Sequence, residues 1–134
     1  MGKVQILAVL TMDGCLSSEL YDKAHQDLCL DRCGLDEIRK KAFYRVTPDY
    51  SISMLHEWRK DGTNIRYLAE ATPDTADYIN GLLRMHAVDE IILYTVPFIS
   101  GSGRHFFKSA LPEQHWTLSS LKSYPNGVCR IIYI

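Results

Sequence analysis

Three short segments of the chain contain the residue types that could bind or transform a ligand. They are Thr11-Met12-Asp13-Gly14, Glu70-Ala71-Thr72 and Gly101-Ser102-Gly103-Arg104, and each follows an apolar run that predicts a β-strand. In sheets of parallel strands, ligands bind beyond the carboxyl ends of the strands. We therefore expect any ligand to bind near these three segments.

The third segment has the composition of an anion-binding loop. Gly101 and Gly103 allow the backbone to turn with its N–H groups pointing outward. Arg104 adds a fork of donors that suits a phosphate or a carboxylate. A flexible turn is the alternative interpretation, because a single Gly-x-Gly pair is not a specific motif.

Two carboxylates belong to the other segments. Asp13 could face a substrate, although Asp13-Gly14 directly after a strand is also typical of a plain turn. Glu70 stands between a predicted strand and a predicted helix, where the helix dipole favours a negative charge. It could serve a binding site or only cap the helix, and both interpretations stay open.

The sequence predicts neither a metal site nor covalent catalysis. The five histidines form no His-x-x-x-His pair, and Cys29 and Cys33 have no second pair at the spacing of a zinc site. No Ser/His/Asp or Cys/His set follows from the spacing of such residues either. We expect no bound metal.

Strands alternate with helices along the chain, and two strands close it. The predicted strands cover residues 3–11, 65–69 and 91–99, and a hairpin around Asn126-Gly127 ends in a strand over 128–134. The predicted helices cover residues 19–30, 35–43, 48–60 and 73–86. This order predicts an α/β fold of three layers, a mixed and mostly parallel sheet flanked by helices and ending in an antiparallel hairpin.

The same tripeptide begins two of the predicted helices. Thr47-Pro48-Asp49 and Thr72-Pro73-Asp74 each offer a threonine N-cap, a proline at the first helical position and an acidic residue near the positive end of the helix dipole. We expect one helix to start at each copy.

The length and net charge of the chain limit the number of domains and the kinds of partner that we expect. A chain of 134 residues with 46% hydrophobic residues is expected to form a single domain over 1–134. The net charge of −1 lacks the basic footprint that duplex nucleic acid or an anionic membrane requires. The apolar run over residues 4–12 is too short to span a bilayer, so we expect a cytoplasmic protein with reduced thiols.

Three stretches resemble a known family. They are VQILAVLTMDG (4–14), LLRMHAVDEIILYTVPFISGSGRHFF (82–107) and SYPNGVCRIIYI at the end of the printed sequence. They are similar to the opening strand and turn, the Val-Asp-Glu to Gly-x-Gly block and the closing hairpin of the reductase domain of riboflavin-biosynthesis deaminase-reductases. The same segments resemble the dihydrofolate-reductase-like relatives of that domain.

The resemblance implies an abbreviated dihydrofolate-reductase-like domain with NADPH as its cofactor. Hydride would pass from the nicotinamide to a pterin-like or ribosylamino-pyrimidine substrate in riboflavin biosynthesis or a related pathway, and the protein would be a homodimer. Two groups of site residues follow from the resemblance. Substrate binding is implied for Asp13 and Gly14, and cofactor binding for Glu70, Ala71, Thr72, Gly101, Ser102, Gly103 and Arg104.

The chain departs from the family in two places. The family's Gly-Gly at the cofactor turn is replaced by Ala71-Thr72, or by Asp74-Thr75 if the helix is aligned without a gap. The family also has a further strand and a second phosphate-binding loop before the position of Asp49, and the sequence shows neither. These departures leave a second interpretation open, a non-catalytic relative that serves as a ligand-binding or protein-interaction module.

Overall fold

The computed structural model describes residues 2–16, 33–60, 64–97, 99, 101, 105–108 and 111–134. The helix predicted over 19–30 lies outside these residues, and so do Cys29, Ser102, Gly103 and Arg104.

Six strands form one mixed sheet in the described part of the chain. They are β1 (Lys3–Leu10), β2 (Tyr44–Arg45), β3 (Arg66–Glu70), β4 (Glu90–Thr95), β5 (Leu118–Ser123) and β6 (Cys129–Tyr133). Their order across the sheet is β2-β3-β1-β4-β6-β5. The first four are parallel, whereas β6 runs antiparallel to both β4 and β5.

The three predicted apolar strands occupy the centre of this sheet, as expected. β1 lies between β3 and β4, with Leu7 opposite Glu70 on one side and Leu10 opposite Thr95 on the other. Val4, Ile6, Leu7 and Ala8 of β1 are each at most 1% exposed. A strand covered on both faces needs apolar residues at successive positions, which explains the unbroken apolar run in the sequence.

Helices cover both faces of the sheet and complete the predicted three layers. They are α1 (Leu35–Lys41), α2 (Ile52–Lys60) and α3 (Ala76–Arg84). Leu55 of α2 and Ile79 of α3 pack in the same cluster as Ile6. Leu35 of α1 packs with Leu7 on the opposite face.

The two copies of the Thr-Pro-Asp tripeptide behave differently. Thr72 caps a helical turn as predicted, because its Oγ1 accepts a hydrogen bond from the backbone N–H of Thr75 at 3.2 Å. Regular helix α3 then begins at Ala76. Thr47 does not cap α2, which starts only at Ile52, four residues later than predicted.

The actual cap of α2 is Ser51. Its Oγ accepts a hydrogen bond from the N–H of Met54 at 3.1 Å. The Thr47 hydroxyl instead lies 3.5 Å from the carboxylate of Asp49 within its own turn. Ser51, and not Thr47, is the N-cap because it stands directly before the apolar residues of α2.

The C-terminal hairpin forms around Asn126-Gly127, with Leu121 opposite Ile131. The turn is not a two-residue Asn-Gly turn. The N–H of Gly127 donates to the carbonyl of Tyr124 at 3.0 Å, which places Pro125 and Asn126 at the central positions. Proline at the first central position favours this arrangement, and Gly127 takes the left-handed conformation that follows it, at φ 88°.

The repeated tripeptide allows a matched test of the capping assignment. We expect Thr72→Ala to lower the free energy of unfolding by about 1–2 kcal/mol, because the N–H of Thr75 loses its side-chain acceptor. Thr47→Ala should change it by less than about 0.5 kcal/mol, since that hydroxyl caps no helix. Urea denaturation followed by tryptophan fluorescence measures both. Equal losses in the two variants would contradict the assignment.

Candidate functional site

The parallel pairing brings the carboxyl ends of β1, β3 and β4 to one edge of the sheet. Two of the three predicted site segments meet there directly. The backbone N–H of Gly101 donates to Asp13 Oδ2 at 3.0 Å, although 88 positions separate these residues. The described residues of the predicted segments therefore share one edge, and Asp13 and Gly101 are in contact.

The turn after β1 holds Asp13 in place. The N–H of Gly14 donates to the carbonyl of Thr11 at 3.0 Å, and Gly14 adopts a φ of 79°, which favours glycine. The hydroxyl of Thr11 bonds to Asp13 Oδ1 and accepts from the N–H of Cys15 at 3.1 Å. Both carboxylate oxygens of Asp13 thus have protein donors, so Asp13 links the turn to the loop after β4.

A cysteine and a histidine also meet at this turn, which the sequence did not predict. Cys15 Sγ lies 3.9 Å from His105 Nδ1, and the two residues form an isolated antiparallel bridge. The N–H of Phe106 donates to the carbonyl of Gly14 at 3.1 Å beside them. Their separation of 90 positions in the chain gives no local signal.

Glu70 lies at the same edge, where it is bound by arginines. Arg39 of α1 forms a two-pronged ion pair with it, with Nε 3.2 Å from Oε2 and Nη2 bonded to Oε1. Arg45 Nη1 lies 3.6 Å from Oε2. Two guanidinium groups and one carboxylate leave a local charge of +1, so this cluster favours an anion.

The backbone N–H groups of the predicted cofactor turn at Thr72 are hydrogen-bonded within the protein. The N–H of Ala71 donates to the carbonyl of Leu7 at 2.8 Å, and the N–H of Thr72 donates to Thr75 Oγ1 at 2.8 Å. Thr75 in turn donates its hydroxyl hydrogen to the carbonyl of Glu70 at 2.8 Å. These backbone donors are therefore occupied, and they do not fit the cradle that a diphosphate would need.

The further strand that the sequence did not reveal is present. β2 has two residues, both exposed, and it pairs with β3 at the edge of the sheet. Arg45 is its last residue and exposed Thr47 follows two positions later. The sequence analysis found neither this strand nor the loop that follows it in the family, because a two-residue strand gives no periodic signal.

A cleft of about 440 Å³ lies elsewhere, on the face of the sheet that carries α3. Leu83, Phe107, Trp116 and Tyr133 are among its lining residues. The predicted site residues in the described part of the chain do not line this cleft. Within that part of the chain, the helices are too short or too polar to cross a membrane, and no group of three potential metal ligands occurs.

No family model and no curated protein matches the chain. Solved structures do match. RibD of Acinetobacter baumannii has a TM-score of 0.65 at 12% identity, over 100% of this chain and 58% of that one. A pyrimidine reductase-like protein of Corynebacterium diphtheriae has a TM-score of 0.57 at 11% identity, over 98% and 90%.

A third match is dihydrofolate reductase of Enterococcus faecalis, solved in complex with NADP(H). Its TM-score is 0.58 at 11% identity, over 98% of this chain and 95% of that one. At such identities the likeness is one of fold. The chain therefore has the dihydrofolate-reductase-like fold that the sequence motifs implied, and its structural neighbours are reductases and reductase-like proteins.

The ion pair between Arg39 and Glu70 should contribute measurably to stability. We expect Arg39→Met to lower the free energy of unfolding by about 1–2 kcal/mol, because the partly buried carboxylate loses a two-pronged partner. Arg66→Met removes an exposed charge at the start of β3 and is the matched control, with an expected change below about 0.5 kcal/mol. Chemical denaturation measures both, and similar losses in both variants would count against a structural role for the pair.

Proposed function

We propose that the chain is an NADPH-dependent oxidoreductase of the riboflavin-reductase and dihydrofolate-reductase type, acting as one cytoplasmic domain over 1–134. The reaction would transfer hydride to a pterin-like or ribosylamino-pyrimidine substrate. The observation that carries the proposal is the meeting of the carboxyl ends of β1, β3 and β4 beside an arginine cluster of positive charge. Ligands of parallel sheets bind at such an edge. The fold shared with a reductase solved with NADP(H) supports the same function.

We propose that the cofactor phosphates bind at Arg45 and Thr47, beside the end of β2. The Arg45 side chain is 60% exposed, so its guanidinium is open to an anion from solvent. The Thr72 turn supports phosphate binding poorly, because its amide is occupied and Pro73 has no N–H. Bound NADPH would supply the hydride, and the protein would orient the reactants and limit access of water.

Substrate binding beside Asp13 and Gly14 remains part of the proposal. With both oxygens engaged, Asp13 is best regarded as a positioning residue that holds the Gly101 loop against the turn after β1. The predicted roles of Ser102, Gly103 and Arg104 in the cofactor cleft stay predictions.

A homodimer is also proposed, and the surface that supports it is the side of β5 that pairs with no strand among the described residues. β5 is an edge strand, and it exposes 53% of Leu118 and 63% of Leu121. Open edges with exposed apolar residues favour pairing with another chain.

The occupied Thr72 amide favours a second candidate function. A relative that has lost its diphosphate cradle would keep the fold as a ligand-binding or protein-interaction module without turnover. Measured binding of NADPH without oxidation of NADPH in the presence of dihydrofolate would favour this candidate.

NADPH titration, followed by the fluorescence of the cofactor, tests the proposal. We expect weak binding, because the occupied amide of Thr72 and the missing N–H of Pro73 remove two charge-assisted hydrogen bonds to phosphate. At about 1.5–3 kcal/mol each, their loss moves a micromolar site towards the millimolar range. Arg45→Met should weaken the binding by a further factor of about ten. The double variant Ala71→Gly/Thr72→Gly should leave the affinity nearly unchanged, because the N–H groups at both positions stay bonded to Leu7 and Thr75.

Arg66→Met is the matched control for the removal of one positive charge, and its affinity should stay close to that of the unmodified protein. Binding at low micromolar NADPH that is unaffected by Arg45→Met would show that the phosphates are held elsewhere. No binding at all would contradict the cofactor assignment itself.

A further inference from the structure

The cleft of about 440 Å³ on the α3 face lies at the opposite end of β4 from the proposed reductase site. Its lining includes Ile91, near the start of β4, and Tyr133, which pairs with Ile91 across the sheet. Thr95, at the other end of β4, lies beside Leu10, the last residue of β1 before the Asp13 turn. The cleft and the carboxyl edge of the parallel strands are therefore two separate places on the sheet.

The floor of the cleft is apolar, and the hydrophobic core fixes its position. Ile91 is 5% exposed, and Leu83, in the last turn of α3, is 6% exposed. Leu93, Trp116 and Tyr133 pack against the same core and are only partly buried. The surface that the core leaves uncovered borders the cleft, so an apolar ligand that covered it would remove it from water.

A buried asparagine fixes one wall of the cleft. Asn80 of α3 is 0% exposed, its Nδ2 donates to the carbonyl of Phe106 at 2.8 Å, and its Oδ1 accepts from the N–H of Lys108 at 3.0 Å. The backbone on both sides of Phe107 is thereby anchored to α3. The Phe107 ring lies 4.9 Å from the buried Phe106 ring, between centroids, yet Phe107 stays 40% exposed. The protein thus holds an aromatic side chain at the cleft without covering it.

Two backbone hydrogen bonds fix the wall that contains Trp116. The N–H of Thr117 donates to the carbonyl of Ile134, and the N–H of Ile134 donates to the carbonyl of Thr117, both at 2.9 Å. The segment before β5 is therefore tied to the end of β6, beside Tyr133. Groups that are ordered before a ligand arrives lower the cost of binding it. The volume of the cleft also lies within the range of about 300–1,000 Å³ that is typical of small-molecule sites.

The residues that line the cleft indicate the class of ligand. Phe107, Trp116 and Tyr133 are aromatic, and aromatic rings favour stacked or edge-to-face contact with other rings. In the described part of the chain, no lysine, arginine, aspartate or glutamate lines the cleft, so a charged ligand would find no ion-pair partner of these types. The exposed residues Gln114 and His115 add hydrogen-bonding groups.

We propose that this cleft binds a neutral aromatic molecule of one or two fused rings that carries one polar substituent. The rings would contact Phe107, Trp116 and Tyr133, and the substituent would bond to Gln114 or His115. A second copy of the chain is the alternative occupant, because Leu118 of β5 stands opposite Tyr133. The concave shape and the two anchored walls favour the small molecule. This site does not depend on the proposed reductase activity, because it lies away from the carboxyl edge and needs no NADPH.

The test follows the indole N–H resonances of the protein without NADPH. The chain has two tryptophans, and Trp58 stacks on Tyr67 of β3, so its resonance is the internal reference for that of Trp116. Naphthalenemethanol, which is neutral, and naphthoate, which carries a carboxylate on the same rings, are titrated separately. We expect a saturable shift at Trp116 and not at Trp58, with naphthoate weaker by about tenfold or more.

Three results would overturn the proposal. They are the absence of a saturable shift at Trp116, equal affinity for the two compounds, and a shift at Trp116 when the protein alone is diluted. The last result would place a second copy of the chain in the cleft. The variant Trp58→Phe assigns the two resonances.

Variants check that the shift reports contact with the aromatic wall. Phe107→Ala should weaken the binding of naphthalenemethanol by about threefold to tenfold, because one ring contact is lost. Phe43→Ala is the matched control, since Phe43 is 68% exposed and does not line the cleft, and its affinity should stay unchanged. Equal affinities of the unmodified protein and Phe107→Ala would overturn the proposal.

Discussion

β1 hydrogen-bonds to β3 on one side and to β4 on the other, and helices cover both of its faces. Burial of its side chains fixes the register of both neighbours, because a shift by one residue would exchange the two faces. The parallel direction then brings the carboxyl ends of three strands together. The contact between Asp13 and Gly101 and the position of Glu70 both follow from this arrangement.

In the proposed function, the anion binds beside Arg45 and not at the turn where the related family has Gly-Gly. The backbone N–H of Thr72 donates to the hydroxyl of Thr75, and the N–H of Thr75 donates to the hydroxyl of Thr72. These bonds stabilise the turn before α3 and occupy the Thr72 amide that a phosphate would use. Positive charge appears instead around Glu70, where α1 and β2 each contribute an arginine. The free N–H groups at the start of a helix can bond to capping side chains or to a phosphate, but not to both at once.

The sequence predicted the central strands because buried parallel strands have a strong and continuous apolar signal. It missed β2, whose two exposed residues have no such signal, and it misplaced the start of α2, since Thr47 and Thr72 are identical in local sequence and differ only in context. The Arg39–Glu70 pair spans 31 positions and the Cys15–His105 contact spans 90. Contacts of this kind depend on tertiary structure, so spacing within the chain could not reveal them.

Mapping of backbone amide shifts on addition of NADPH shows where the cofactor phosphates bind. We expect the largest saturable shifts at Arg45, Val46 and Thr47, with smaller ones at the Asp13 turn. The amide of Thr72 should change little, because Thr75 already accepts its hydrogen bond. Largest shifts at Thr72 to Ala76, or at the residues that line the cleft on the α3 face, would contradict it.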